Sequence, residues 1–272
     1  MNKKDTFFSV INRIYVRPVP DSFINSIRSD PTLSIDIALA REQWKSYINT
    51  IKFCGLPVVI LPRADDLPDS VFIEDTAIVI DNNCVFITEP GHPLRRPEAE
   101  GVRKFLARDM EVIVSQPGAS IDGGDVLRYY DTLFVGLSGR TTARGVNFLR
   151  NVARRRNLKV VEVNVPKGLH LKTYLSLVDD STMVFYPESE IDVEPFEDAG
   201  LAIIEASELC GANVLSLGNN KVLIASMAKN TGKMLESMGY DVISVDISEI
   251  AKADGALTCQ SIRVPEAGGW CS

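Results

Sequence analysis

The sequence predicts an α/β fold built from one recurring unit, a β-hairpin followed by a helix and a third strand. The first observation is a pair of apolar runs separated by a turn of Asp, Asn, Gly or Ser, which is typical of a hairpin. The second is a helix signal and then an apolar strand after most of these hairpins. Because the unit recurs every ~40 to 50 residues, the sequence indicates a stacked or circular array.

Four hairpins are predicted, with short turns rich in Asp, Asn, Ser and Gly. These residues tolerate the backbone angles that tight turns need. Each strand pair is expected to be antiparallel, because so short a connection reverses the chain. The predicted pairs are 76–80 with 84–88, 125–130 with 132–137, 173–178 with 182–186, and 213–217 with 221–225.

Helix signals follow three of the hairpins. Pro97 lies near the first position of a helix, where a missing backbone N–H costs nothing. Thr141 and Thr142 are positioned to cap a second helix, and Asn230 and Thr231 a third. An apolar strand is expected after each helix, at 111–114, 160–163 and 241–245.

Both ends of the chain are left over once four units are assigned. They contain a strand at 14–19, a helix at 34–53, a strand at 58–61 and a last strand at 261–264. Together these segments would make a fifth unit that closes the array into a ring. The third unit is the least regular, since residues 187–195 are acidic and irregular. No low-complexity linker interrupts residues 1–272, so a single catalytic domain is expected.

A doubly wound parallel sheet is the alternative fold. It is less compatible with this sequence, because hairpins are antiparallel and a doubly wound sheet alternates single strands with helices.

Composition limits the classes of function and the cellular locations that are compatible with this sequence. The net charge of −7 argues against nucleic-acid binding and favours a neutral or cationic ligand. Five cysteines without a CxxC pair indicate free thiols in a reducing compartment. Cys54 and Cys84 are expected in the core, and Cys271 in the tail is expected to be inert. Neither a signal peptide nor an apolar run of ~18 residues is visible, so a cytoplasmic protein without membrane contact is predicted.

Polar motifs recur at corresponding points of the units, so they are expected to face one centre. They lie at 69–75, 122–125, 168–170 and 254–259. The last two contain His170 and Cys259. A nucleophilic thiol and its histidine partner can lie far apart in sequence, because they need to meet only in space. The pair therefore predicts a thiol enzyme.

Five acids accompany this pair, namely Asp69, Glu74, Asp75, Asp122 and Asp254. Buried carboxylates need partners, because an unpaired buried charge is costly. Two histidines without paired spacing argue against zinc, so no metal and no organic cofactor are expected. A planar guanidinium fits better, since it matches carboxylates bidentately. Its central carbon is also an electrophile that a thiolate can attack.

Two arginines occupy the same place in their units, which makes them candidates for holding a substrate carboxylate. They are Arg95 and Arg140, and each follows a hairpin. Purely structural interpretations stay open for two of the acidic motifs. Glu74 and Asp75 fit an ordinary solvated strand entry, and the glycine-containing stretch 122–125 fits a tight turn.

Six motifs, taken together, resemble dimethylarginine dimethylaminohydrolases. The resemblance runs in order from about Tyr15 to Val264, nearly the whole chain. The motifs lie at 72–75 (FIED), 90–96 (PGHPLRR), 122–127 (DGGDVL), 135–141 (VGLSGRT), 168–172 (GLHLK) and 254–259 (DGALTC). The resemblance implies a five-bladed α/β propeller (pentein) of the guanidine-modifying enzymes, in agreement with the unit described above.

The resemblance also implies a reaction: hydrolysis of mono- and dimethylarginine to citrulline and methylamine or dimethylamine, through a covalent cysteine thiouronium. Motif matches imply a catalytic set of Cys259 as nucleophile, His170 as general acid and base, and Asp122. One departure is Asp122, where some relatives carry Glu. The implied substrate-binding set is Ile27 on a lid, Asp69, Glu74, Asp75, Arg95, Arg140, Ala253 and Asp254.

Three other functions stay open. An arginine deiminase on the same scaffold would release ammonia from free arginine, although such enzymes tend to carry an added helical domain. An amidinotransferase would pass the amidino group to an amine. A non-catalytic ring would only bind a cation. The expected partner is a small methylated arginine rather than nucleic acid or membrane, and the choice between monomer and homodimer is open.

Overall fold

The computed structural model describes residues 11–266 and contains five three-stranded sheets. Within these residues the strands are β1 (Ile11–Val16), β2 (Val58–Ile60), β3 (Ala77–Asp81), β4 (Cys84–Ile87), β5 (Glu111–Val114), β6 (Val126–Tyr129), β7 (Thr132–Leu137), β8 (Lys159–Asn164), β9 (Leu175–Leu177), β10 (Thr182–Phe185), β11 (Ala202–Glu205), β12 (Leu215–Gly218), β13 (Lys221–Ala225), β14 (Asp241–Val245) and β15 (Ser261–Pro265). The α-helices are α1 (Ile37–Phe53), α2 (Arg96–Leu106), α3 (Ala143–Arg154), α4 (Glu194–Asp198), α5 (Lys229–Ser237) and α6 (Ser248–Ala251). Cys271 lies outside the described residues.

The repeating unit is the one that the sequence predicts. In each of four sheets, two consecutive strands form an antiparallel hairpin and a third strand pairs in parallel, as in β3–β4–β5. A helix connects the second strand to the third, because a parallel pair needs a crossover. The same pattern holds for β6–β7–β8, β9–β10–β11 and β12–β13–β14.

The fifth sheet joins the two ends of the described chain. β1 pairs antiparallel with β15, with Tyr15 opposite Ile262, and parallel with β2, with Ile14 opposite Val58. α1 is the crossover between β1 and β2. The prediction of a fifth unit built from both ends is therefore confirmed, whereas the assignment of residues 1–272 to one domain stays a prediction.

The hydrophobic core lies between neighbouring sheets, and it accounts for the ring. Each of five buried clusters takes residues from two successive units. One cluster, for example, joins Leu215 of β12 to Val16 of β1, and the next joins Tyr15 of β1 to Val85 of β4. The remaining clusters link the first unit to the second, the second to the third, and the third to the fourth. Because burial of apolar area stabilises each junction, no unit can be removed without exposing two of them.

Two helix caps illustrate where local prediction holds and where it fails. Thr142 caps α3 as predicted, since its side chain accepts a hydrogen bond from the Gly145 N–H. The cap predicted for α5 is wrong, because the side chains of Asn230 and Thr231 do not cap it. Instead, the Glu208 carboxylate accepts hydrogen bonds from both of their backbone N–H groups, at 2.7 and 3.1 Å.

Two further outcomes concern elements outside the regular pattern. The irregular third unit contains only the short α4.

None of the helices in residues 11–266 is long and apolar enough to cross a membrane.

Replacing Glu208 by Ala should lower the free energy of unfolding by about 1 kcal/mol, as loss of a helix cap does. Burial opposes ionisation of Glu208, but hydrogen bonds from Thr231 and Asn230 hold its pKa below the ordinary value. The effect should therefore be present near neutral pH and disappear as pH falls through that lowered pKa. Urea unfolding at several pH values measures it, and Glu236→Ala on the exposed face of α5 is the control. An equal loss of unfolding free energy in both variants would contradict the capping role of Glu208.

Candidate active site

A cavity of about 720 Å³ collects polar side chains from all five units. Loops at corresponding ends of the sheets supply them, as the sequence predicts. Ten of the eleven predicted site residues line this cavity, namely Ile27, Asp69, Glu74, Asp75, Arg95, Arg140, His170, Ala253, Asp254 and Cys259. The eleventh, Asp122, is fully buried and lies behind His170, to which it is hydrogen-bonded.

Cys259 lies in a short 3-10 turn, Thr258–Gln260, immediately before β15. Its side chain is half-buried and packs against the apolar cluster between the fourth unit and the fifth. Burial raises the pKa of the Cys259 thiol to about 12, and the negative charges of Glu74 and Asp75 add to the effect. The sulfur is therefore protonated at neutral pH without a ligand.

His170 is the first of two groups that face this thiol across the cavity, and it is held by carboxylates. Its Nε2 lies 2.8 Å from Asp122 Oδ2 and 3.9 Å from Asp75 Oδ1. Burial alone would lower the pKa of His170, but Asp75, Asp122 and Asp125 outweigh it and raise the pKa to about 9. The ring is therefore an imidazolium at neutral pH, a form that donates a proton.

Asp75 is the second group, and it is ionised. It accepts hydrogen bonds from Arg95 Nη1 at 2.6 Å and from the Gly124 N–H at 2.9 Å. Burial opposes its ionisation, but the charges of His170 and Arg95 lower the pKa of Asp75 to about 2. The carboxylate is thus a permanent anion beside the thiol.

The donor atoms of Asp75, Asp122 and His170 lie within 4.8 Å of one another, close enough for a metal ion. Two observations favour an ion-paired network instead. Asp75 is already bound to Arg95, and a His170 ring with a pKa of about 9 carries a proton where a metal would need a lone pair. The metal-free reaction stays a prediction.

The two glycines of the 122–125 motif are required by close packing. A Cβ atom on Gly124 would lie 2.7 Å from Asp75 Oδ1 and 2.8 Å from His170 Nδ1. A Cβ atom on Gly123 would lie 2.0 Å from the Glu74 carbonyl oxygen. Interpreting this motif as a simple tight turn is therefore insufficient, because its backbone forms the wall against which the charged groups lie.

Glu74 is neutralised by two cations that sequence reasoning did not assign to the site. Its Oε1 lies 2.5 Å from Lys172 Nζ and 2.8 Å from Arg263 Nη2, while its Oε2 accepts a hydrogen bond from Thr258 Oγ1 at 2.9 Å. Lys172 is part of the 168–172 motif, which was the available signal. Glu74 therefore anchors the residue before Cys259 rather than standing free in the cavity.

The two predicted carboxylate-binding arginines have different surroundings. Arg95 is buried and binds Asp75, Glu98 and the Phe72 carbonyl oxygen. Arg140 lines the cavity, where its Nη1 lies 3.9 Å from Asp122 Oδ2 and has no hydrogen-bond partner among residues 11–266. Arg140 is thus available to an anion, whereas Arg95 mainly positions Asp75.

A segment at residues 26–29, here called the lid segment, lies over the cavity. The Ile27 N–H donates to both oxygens of Asp69, each at 3.2 Å. The Ser29 N–H and Oγ donate to the two oxygens of Asp254, at 2.6 and 2.7 Å. Asp254 has a positive φ of 57°, which turns its carboxylate toward the lid segment.

A thiol, an imidazolium and several carboxylates around one cavity of a five-bladed α/β propeller define a pentein, the fold of guanidine-modifying enzymes. Within that class the chain belongs to a particular family. Residues 18–264 match the family described as N,N dimethylarginine dimethylhydrolase, eukaryotic.

Three known proteins illustrate the relationship. The N(G),N(G)-dimethylarginine dimethylaminohydrolase of Streptomyces coelicolor is 38% identical over 234 residues, which are 85% of this chain and 88% of that protein. A Pseudomonas aeruginosa dimethylarginine dimethylaminohydrolase, solved as a cysteine-to-serine variant complexed with citrulline, has a TM-score of 0.87 and 29% identity, over 93% of this chain and 99% of that chain. A histidine-to-glycine dimethylarginine dimethylaminohydrolase, solved as an adduct with S-methyl-L-thiocitrulline, has a TM-score of 0.86 and 29% identity over the same shares.

Replacing Asp122 by Asn should lower the pKa of His170 from about 9, because the substitution removes a hydrogen-bonded anion 2.8 Å from Nε2. The chain contains two histidines, so NMR titration of the ring protons resolves them. Asp131→Asn, at the exposed pair with Lys159, is the control and should leave the His170 titration unchanged. An unchanged His170 titration would show that Asp122 does not hold the proton there.

Proposed function

We propose that this protein hydrolyses Nω-methylated arginines to citrulline and methylamine or dimethylamine. One observation carries the proposal: Cys259, His170 and Asp75 line one cavity in a chain that belongs to the dimethylarginine dimethylhydrolase family. The solved relatives add support. One binds citrulline, the expected product, and another forms an adduct with S-methyl-L-thiocitrulline, an analogue of the substrate.

The cavity offers a partner for each charge of such a substrate. The guanidinium lies between Asp75 and the Cys259 sulfur. The substrate carboxylate binds Arg140, whose Nη1 has no hydrogen-bond partner in the described part of the chain. Asp69 has no cation within ion-pair distance there, and burial raises its pKa, so it favours the positive α-amino group next to the lid segment.

Formation of the covalent intermediate begins with a thiol that burial and two anions keep protonated. A cationic guanidinium beside Cys259 lowers the cost of the thiolate, and the thiol proton leaves to solvent as the substrate binds. The sulfur attacks the central carbon and forms a C–S bond. His170 gives its proton to the departing amine as the C–N bond breaks, which leaves a cationic thiouronium and a neutral ring.

Hydrolysis of that intermediate uses the neutral ring as a base. His170 takes a proton from water, and the resulting hydroxide adds to the thiouronium carbon. The tetrahedral adduct collapses to citrulline, and its hydroxyl proton passes to the sulfur. The lid segment, through Ser29 and Asp254, keeps bulk water from the reacting carbon until the amine has left.

The competing functions differ in what they release. An arginine deiminase would form ammonia from arginine, an amidinotransferase would need an acceptor amine, and a cation-binding ring would form no product. Separate incubation with arginine, monomethylarginine and dimethylarginine distinguishes them when both citrulline and the released amine are quantified. Ammonia from arginine as the dominant product would overturn the proposal.

Cys259→Ser should lower kcat for dimethylarginine by at least about 10³-fold, because an alcohol is a far weaker nucleophile in this site. Steady-state citrulline assays measure the loss, and a thermal unfolding curve tests whether the fold is intact. The control is Cys54→Ser, which changes another half-buried thiol at the end of α1 and should leave kcat unchanged. Near wild-type turnover by Cys259→Ser would exclude the covalent mechanism.

His170→Ala should trap the covalent intermediate when S-methyl-L-thiocitrulline is the substrate. The departing methanethiolate needs no proton, so the sulfur of Cys259 can still displace it, whereas water activation fails without the ring. Mass spectrometry of the intact protein and of the Cys259 peptide measures the adduct. The Cys259→Ser, His170→Ala double variant is the control and should show none. Rapid multiple turnover by His170→Ala would remove His170 from the hydrolytic step.

A further inference from the structure

Asn213 lies between the two turns that carry His170 and Cys259. It precedes β12 and is 3% exposed. Its Nδ2 donates to the Lys172 carbonyl oxygen at 2.8 Å and to Thr258 Oγ1 at 3.0 Å, while its Oδ1 accepts from the Thr258 N–H at 3.1 Å. The orientation of the amide is unambiguous, because a backbone carbonyl only accepts and a backbone N–H only donates. The side chain therefore uses both of its donors and its acceptor.

These contacts join the main chains of the two turns. Lys172 belongs to the turn Leu171–Thr173, which begins directly after His170. Thr258 begins the turn that contains Cys259. Glu74 also contacts both residues, but it binds their side-chain ends. Asn213 instead holds the backbone from which the imidazole and the thiol project, so its position affects the separation and orientation of these two groups.

Asn213 is itself held from a neighbouring unit. Ser176, a buried residue of β9, donates from Oγ to the Ala212 carbonyl oxygen at 2.7 Å and accepts from the Val214 N–H at 2.8 Å. The backbone on both sides of Asn213 is thus fixed to another sheet. Because the main chain next to Asn213 is fixed to another sheet, the Asn213 side chain does not shift with either turn. It therefore holds both turns in defined positions.

We infer that Asn213 is a positioning residue, which holds the Cys259 and His170 turns at the separation and orientation that attack and proton transfer need. The inference rests on the proposed hydrolysis of methylated arginines. Displacement of a reacting group by about 1 Å can lower a rate by ~10²-fold, so loss of this amide should act on the chemical step. The groups assigned above to the substrate, namely Asp69, Asp75 and Arg140, receive no hydrogen bond from Asn213.

The first test is Asn213→Ala in the full-length protein. It should lower kcat for dimethylarginine by about 10- to 10²-fold and leave KM within about threefold. Asn147→Ala, on the exposed face of α3, is the matched control and should change neither value. A wild-type kcat for Asn213→Ala, or an equal loss in kcat/KM through KM alone, would overturn the positioning role.

The second test uses Asn213→Asp, which preserves shape and remains informative if Asn213→Ala does not fold. At neutral pH it replaces the donor to the Lys172 carbonyl by a carboxylate oxygen, so kcat should fall. As pH falls and the new carboxyl group protonates, an O–H again faces that carbonyl, and the ratio of variant to wild-type kcat should rise. Asn147→Asp should show a constant ratio. A pH-independent ratio for Asn213→Asp would contradict the inference.

The wild-type assay separates the two proposals. If the wild-type protein forms citrulline from methylated arginine and both Asn213 variants match it, the positioning role is wrong and the proposed function stands. If the wild-type protein forms no citrulline from any methylated arginine, the proposed function fails, and the role of Asn213 fails with it.

Discussion

The structure depends on keeping several carboxylates ionised in one buried place. An unpaired charge there would cost several kcal/mol, so each acid needs a cation or an N–H group aimed at it. The partner of Asp75 is Arg95, Glu74 is bound by Lys172 and Arg263, and Asp122 is bound by His170. Lys172, Arg263 and His170 come from units other than those of the acids they bind, whereas Arg95 belongs to the same unit as Asp75. The propeller suits this chemistry because it points several loops from separate sheets at one centre.

These ion pairs make the pocket less negative than the sequence alone suggests. Five acids near one another suggest a strongly negative site, yet three of them are compensated by residues that the motifs did not mark as partners. Asp69 has no cation within ion-pair distance among residues 11–266, and Arg140 Nη1, which lies 3.9 Å from Asp122 Oδ2, has no hydrogen-bond partner there. The site therefore combines three compensated carboxylates with one carboxylate and one arginine donor that have no such partner, an arrangement that suits a zwitterionic amino acid with a cationic end. In the mechanism proposed above, the substrate supplies the positive charge that stabilises the thiolate of Cys259.

How much the sequence predicts depends on whether a feature is local. Hairpin turns and the cap by Thr142 involve residues within a few positions of one another, and both are predicted correctly. The cap of α5 by Glu208 joins positions 22 apart, and the Glu74–Arg263 ion pair joins positions 189 apart, so no spacing rule reveals them. Asp69, Glu74, Asp75, His170, Asp254 and Cys259 line one cavity because the unit repeats and corresponding points face one centre, whereas Ile27 and Ala253 are implied only by the family resemblance. Asn213 is missed for the opposite reason, since one asparagine before a strand carries no local signal of the two turns that it joins.

The placement of the site also couples folding to function. Arg263 lies in β15, the last described strand, which completes the sheet begun by β1, and Cys259 lies in the turn just before that strand. The lid segment follows β1 and contacts Asp254, so early and late segments of the described chain meet at the same side of the cavity. The fifth sheet therefore holds the second cation of Glu74, and the thiol and the cover of the pocket lie in segments next to its strands. Because an unpaired β15 would leave Glu74 with one cation fewer, the interactions that complete the site also stabilise the closed ring, and a partly closed chain would present no assembled nucleophile.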